Sequence, residues 1–216
     1  MNTEYFQYGK KEVDHLKKKD QVLGAAMDRI GIIKRPVIPD LFCALMHAII
    51  GQQISTKAQE TIWKRLLDLT NEVNAGTILS FSDTDLQSIG LTFRKVDYIK
   101  NMAQKVANKE LRLDELSKLN DDEVCLELSA LKGIGTWTAE MIMLFSMQRM
   151  NVLSYGDLAI HRGMRMLYHH RAIRPKLFNK YWHRYSPYAS VASLYLWAIA
   201  GGAIPEMRDY APKKNK

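Results

Sequence analysis

The run Leu131-Lys132-Gly133-Ile134-Gly135-Thr136-Trp137-Thr138-Ala139 lies between two segments of helical period, and its reading decides the fold. From Asp121 to Ala130, Val124, Leu128 and Leu131 recur at i, i+4 and i+7 and share one face; from Thr136 to Met147, Thr138, Ile142 and Phe145 do the same. The spacing predicts two helices joined by a hairpin of about four residues. Gly133 and Gly135 free the backbone for positive φ and remove Cβ atoms that would obstruct an approach from outside. A turn of this kind, opening a helix, directs unpaired N–H groups outward with the positive end of the helix dipole behind them, an arrangement suited to a phosphate. Two glycines can equally cap one helix and release the next, so the run needs a companion.

Composition narrows the classes. The chain has 216 residues, 47% of them hydrophobic and 25% charged, with a formal net charge of +8. That size buries a core as one domain or two lobes, and the charge points to a polyanionic partner. Part of the excess sits in Lys17-Lys18-Lys19 and in the tail Lys213, Lys214 and Lys216. No apolar run reaches the length of a bilayer span and the first thirty residues are charged, so an intracellular protein without a membrane partner is expected. Two distant cysteines, Cys43 and Cys125, exclude a disulfide framework and a four-cysteine iron-sulfur cluster. The six histidines have no metal-ligand spacing.

Working outward, Asp20 predicts the cap of a helix carrying Leu23, Ala26, Met27 and Ile30, ended by Gly31. Arg35-Pro36-Val37-Ile38-Pro39 reads as an extended linker. Leu41 to Ile50 reads as a buried helix, and Ser55 caps another with Ala58, Ile62, Leu66 and Leu69 inward. Ser82 with Asp85 suggests a short capped helix, Gly90 to Lys95 a tight loop, and Val96, Ile99, Ala103 and Val106 the next helix. A further short helix covers roughly Asp114 to Leu119. Downstream, Ile160, Met164 and Leu167 mark one helix, Pro175 opens another, and Ala189 to Ala200 forms the last before Gly201-Gly202. No segment alternates as a strand, and the fold class is all-α.

The companion to the hairpin is Ser154-Tyr155-Gly156-Asp157-Leu158-Ala159-Ile160-His161-Arg162, a loop delivering a carboxylate to a helix start. Together the two resemble the base-excision DNA glycosylases of the helix-hairpin-helix superfamily. Trp137 in the hairpin resembles the alkylation-repair branch, the 3-methyladenine DNA glycosylase II group. Ile50-Gly51-Gln52-Gln53-Ile54-Ser55, followed by Lys57-Ala58, is similar to a second block of that branch.

The resemblance implies a two-lobed helical fold with one continuous lobe over 36–150 and a second built from 1–35 and 151–216. A catalytic Asp is expected in the cleft between them, and the extra N-terminal β domain of some relatives is not expected. Cleaving an N-glycosidic bond builds positive charge at C1′, which a carboxylate stabilises, and Asp157 is the expected catalytic residue. Bifunctional relatives carry a nucleophilic lysine where this chain has Trp137, so a monofunctional hydrolase is implied. Trp137, Tyr188, Met141 and Gln53 are the expected base pocket, since an indole face suits the cationic ring of an alkylated purine. Phe93 matches the family's apolar wedge, with Arg94 and Lys95 beside it for flanking phosphates. Lys132, Gly133, Gly135 and Thr136 would grip the backbone, and the carbonyls of Ser129, Leu131 and Ile134 match a monovalent cation site. The implied partner is damaged double-stranded DNA, bound by a monomer that requires no cofactor. Plainer readings stand beside these: Asp157 as an N-cap, Trp137 and Tyr188 as core aromatics, Phe93 as a buried anchor. A glycosylase for deaminated or oxidised bases and a non-catalytic DNA binder stay open as alternatives.

Overall fold

The computed structural model describes residues 3–212, and the lysines at 213, 214 and 216 lie outside them. The chain is all-helical: α1 (Lys10–Lys19), α2 (Gln21–Ile30), α3 (Leu41–Ile50), α4 (Thr56–Thr70), α5 (Ala75–Ser80), α6 (Asp83–Ser88), α7 (Phe93–Ala107), a 3-10 turn (Glu115–Lys118), α8 (Asp121–Ser129), α9 (Thr136–Phe145), α10 (Leu158–Tyr168), α11 (Pro175–Tyr185) and α12 (Ala189–Ala200). Among the described residues the nearest approach to a sheet is one isolated antiparallel bridge, Tyr5 to Pro36.

Local chemistry sets most boundaries. Asp20, Asp40, Ser55, Asn74, Ser82, Thr92, Asn120 and Asp157 each accept a backbone N–H from the first turn that follows, removing one of its orphan donors. Thr92 corrects one expectation. Its hydroxyl caps Lys95 N at 3.4 Å, so Phe93, Arg94 and Lys95 form the first turn of α7 and not a loop. The expected polar start also contains a helix, α1, whose one buried residue is Leu16.

The chain divides into two compact units, Met1–Val37 with Gln148–Lys216, and Ile38–Met147. The divisions fall at 37/38 and 147/148 where 36 and 150 were expected. Val37 N–H donates to Glu4 O, Gln148 Oε1 accepts from Gln7 N, and Met150 O accepts from Ser190 N, which ties these residues to the terminal unit.

In the terminal unit α12 is the central element, with ten of its twelve residues buried. Helix α10 lies close against it because Gly163 has no side chain: a Cβ there would stand 2.2 Å from the Leu196 carbonyl oxygen. In the continuous unit α8 and α9 pack as a pair, with Val124, Leu128, Ala139 and Leu144 fully buried, and α3 packs on α9 and α7.

Candidate active site

The hairpin belongs to the continuous unit. Gly133 has φ +87°, a conformation that L side chains rarely adopt, and a Cβ on it would meet the Tyr98 ring at 2.3 Å. Gly135 has φ −91°, so only Gly133 needs the left-handed region. A Cβ on Gly135 would meet nothing within 4 Å, which leaves the outer surface open there. Gly135 is also the N-cap of α9 and has no side chain to cap it; with Thr136 exposed, the helix offers its N-terminal backbone to an incoming anion.

One side-chain contact to this hairpin was not legible in the sequence. Gln52 donates from Nε2 to Gly133 O at 2.7 Å, so of the adjacent glutamines it is Gln52 that touches the hairpin, while Gln53 is exposed at φ +58°. Lys95 donates to the carbonyls of Ile50 and Gln52 at 2.7 and 2.8 Å. It therefore satisfies the carboxyl end of α3 where a phosphate interaction was expected, and burial lowers its pKa. Lys132 pairs with Asp97 of α7 at 2.7 Å, so its ammonium is shared with a carboxylate. Arg94 is exposed beside Phe93.

Phe93 is 68% exposed at the first position of α7, which rules out the buried-anchor reading. Trp137 is half exposed on the second residue of α9, which rules out a core role. Met141 is half-buried one helical turn later on the same face. Among the described residues no group of three His, Cys, Asp or Glu could hold a metal ion. A hairpin cation would need backbone oxygens; of the three carbonyls assigned to it, Leu131 O accepts Ile134 N–H at 3.0 Å and retains a second lone pair.

The terminal unit carries the carboxylate. Asp157 is the N-cap of α10 and is 7% exposed. Its Oδ1 accepts the N–H groups of Ala159 and Ile160 at 2.8 and 3.0 Å, and its Oδ2 accepts Trp197 Nε1–H at 3.2 Å. The cap reading is thus correct, and the same interactions hold the side chain in one orientation. Trp197, forty residues away on α12, went unread in the sequence because its apolar neighbours mark it as core. Leu158, the next residue, is 84% exposed, leaving an apolar side chain in solvent beside a buried carboxylate. Tyr155, on the other side, packs edge-on against His161 and Phe178 at 4.9 and 5.0 Å. Burial lowers the pKa of His161, whose Nε2 is buried without a partner. Tyr188 is half-buried at the start of α12 against the edge of His15, 5.0 Å away.

A glycine-opened helical hairpin and a helix-capping Asp in a loop after it define a DNA-repair class: the chain belongs to the HhH-GPD superfamily of base excision DNA repair proteins, whose profile matches residues 46–187. It is 29% identical over 180 residues to DNA-3-methyladenine glycosylase 1 of Schizosaccharomyces pombe, covering 79% of this chain and 77% of that one. Among solved structures, a DNA-3-methyladenine glycosidase from Bacillus halodurans superposes with a TM-score of 0.85 at 34% identity, over 96% of this chain and 97% of that one. The S. pombe 3-methyladenine DNA glycosylase in complex with abasic DNA gives 0.73 at 26%, over 88% and 96%.

Proposed function

We propose that this protein is a DNA glycosylase that excises alkylated purines of the 3-methyladenine and 7-methylguanine type by hydrolysing the N-glycosidic bond. The observation that carries the reading is the buried Asp157 carboxylate, fixed by two backbone N–H groups and by Trp197.

Duplex DNA meets the backbone N–H groups at the start of α9, and the target nucleotide is flipped out because its glycosidic bond is otherwise unreachable. Phe93 fills the gap, at an unstacking cost of roughly a few kcal/mol per step. The base stacks on Trp137, whose ring face attracts the positive charge of an alkylated purine. That charge already makes the base a good leaving group, so stabilisation is needed mainly at the sugar. As the bond breaks, Asp157 faces the developing charge at C1′ and orients the water that attacks it. Tryptophan at position 137 supplies no amine for a Schiff base, so the product is an intact strand with an abasic site. No step asks for a cofactor. A monovalent cation on the carbonyls of Ser129, Leu131 and Ile134 would add positive charge beside a phosphate. The protein acts as a monomer on damaged double-stranded DNA; no helix among the described residues is long and apolar enough to cross a membrane.

The test is base release from alkylated duplex by wild type and Asp157→Asn, with abasic sites scored by alkali cleavage. Asparagine keeps a cap acceptor, so the variant should fold and bind DNA while losing at least about a hundredfold in rate. A wild type that binds but releases no alkylated base would sink the reading; release of deaminated or oxidised bases instead would move it to the neighbouring substrate class.

A further inference from the structure

We propose that the exposed face of α10 and α11, with the loop between them, is a second DNA-binding surface, an electrostatic track for the phosphates of duplex flanking the lesion. This rests on the reading of the chain as a DNA glycosylase. From Leu158 to Pro205 the sequence has seven Lys and Arg residues and no Asp or Glu. Two of the seven have partners brought in by the fold: Arg165 is bound through two nitrogens by Asp209, and Arg184 by Asp20. The other five, Arg162, Arg171, Arg174, Lys176 and Lys180, are all exposed; Arg162 shares the field of Asp209, and the remaining four have no ion-pair partner among the described residues. Three further carboxylates of the unit are committed elsewhere, Asp14 to Lys10, Asp28 to Lys17 and Glu206 to Arg29.

An ordinary solvated face mixes signs and supports its helices with them. Here the placement works against the helix. Arg174 is the N-cap of α11 and Lys176 lies in its first turn, with no acidic residue there, so two cations sit at the positive end of the dipole. By contrast α8 opens with Asp121, Asp122 and Glu123, as helix stability favours. A cluster that the fold does not need, and that opposes the local field, is accounted for by a polyanion that neutralises it.

The cluster is tied to the catalytic loop. Phe178 of α11 packs on Tyr155, two residues before Asp157. Arg162 lies five residues beyond Asp157, about 7.5 Å along the helix axis. The occupant is nucleic acid and not a lipid surface, because α11 turns its apolar residues Phe178, Tyr181 and Tyr185 inward and exposes Lys176, Asn179, Lys180 and His183. A membrane-surface helix needs an apolar face outward.

The experiment measures the affinity of the full chain for undamaged and lesion-containing duplex across a salt series, alongside single-turnover base release at saturating DNA. For the variant Arg171→Gln/Lys176→Gln/Lys180→Gln, the slope of log affinity against log salt should become shallower by up to about 2.7, at about 0.9 for each phosphate no longer neutralised, with the saturated rate unchanged. The charge-keeping variant Arg171→Lys/Lys176→Arg/Lys180→Arg should retain the wild-type slope. An unchanged slope in the first variant, or an equal loss in the second, overturns the proposal. So does a first variant that loses binding to phosphatidylserine vesicles while keeping wild-type DNA binding. The two readings fail separately: a wild type without base release removes the glycosylase assignment, whereas normal release with an unchanged salt slope removes only this surface.

Discussion

Replacing Gly133 by alanine should damage the hairpin in two separable ways. The residue sits at φ +87°, and an L side chain in that region costs about 1–2 kcal/mol. The new Cβ would also lie 2.3 Å from Tyr98 Cδ2 and 2.7 Å from Cε2, so the ring must move; relieving an overlap of this kind costs about 1–3 kcal/mol. The sum, about 2–5 kcal/mol, is within the 5–15 kcal/mol by which domains are typically stable, so the variant should still fold. Tyr98→Ala removes the ring and, with it, only the second contribution. Urea unfolding of wild type, Gly133→Ala, Tyr98→Ala and the double variant forms a closed cycle. The double variant should be more stable than the two single effects predict by about 1–3 kcal/mol. Fluorescence anisotropy on a duplex with an abasic-site analogue should show weaker binding by Gly133→Ala, because the turn that precedes α9 is displaced. Additive free energies across the cycle would refute the claim that Tyr98 sets the approach to Gly133, and wild-type DNA affinity in Gly133→Ala would refute its role in the grip.

Trp197→Phe removes the indole N–H that reaches Asp157 Oδ2; hydrogen bonds to charged groups are worth about 1.5–3 kcal/mol, so single-turnover release should fall about ten- to a hundredfold with DNA affinity unchanged, and a loss confined to affinity would contradict the positioning role. Gly163→Ala pushes α10 off the Leu196 carbonyl and should cost about 1–3 kcal/mol by urea titration while slowing base release; a stability change without any rate change would separate α10 placement from catalysis. Asp20 caps α2 and holds Arg184 at 2.7 Å and Tyr168 at 2.9 Å from a side chain 1% exposed, so Asp20→Ala should destabilise by about 3–5 kcal/mol, and a loss under about 1 kcal/mol would show the cluster to be dispensable. Burial lowers the pKa of His47, His161 and His170, so the unfolded chain binds more protons near neutrality; their contribution is complete above the ordinary histidine value of about 6.5 and is lost as pH falls through it, and a melting temperature flat or rising from pH 7 to 5 would contradict this.

What the sequence disclosed followed the range of the interactions involved. Helix α12 begins and ends at the residues expected, and α2, α4 and α6 start after Asp20, Ser55 and Ser82, because a cap and an apolar period act within one turn of chain. Helix α1 stayed hidden because it has one buried residue, Leu16, and α5 because six residues are too few to set a period. The start of α7 was missed because Gly90 signalled a loop while Thr92, a residue with the chemistry to cap, was passed over. The site divides in the same way. Asp157 could be read as a cap because a capping Asp after a short loop is a local pattern, while its catalytic role rested on the resemblance carried by the hairpin and Gly156-Asp157 together; Gly133 could be read because positive φ favours glycine. Gln52, Lys95 and Trp197 could not: each acts on a partner far along the chain, respectively eighty-one, forty-three to forty-five, and forty residues away. These are the residues that aim the groups the motifs name. A substitution at Trp197 should therefore leave every motif intact and still disable the step that Asp157 serves, and Gly163, whose missing side chain lets α10 approach α12, holds the helix that Asp157 caps against the helix that carries Trp197.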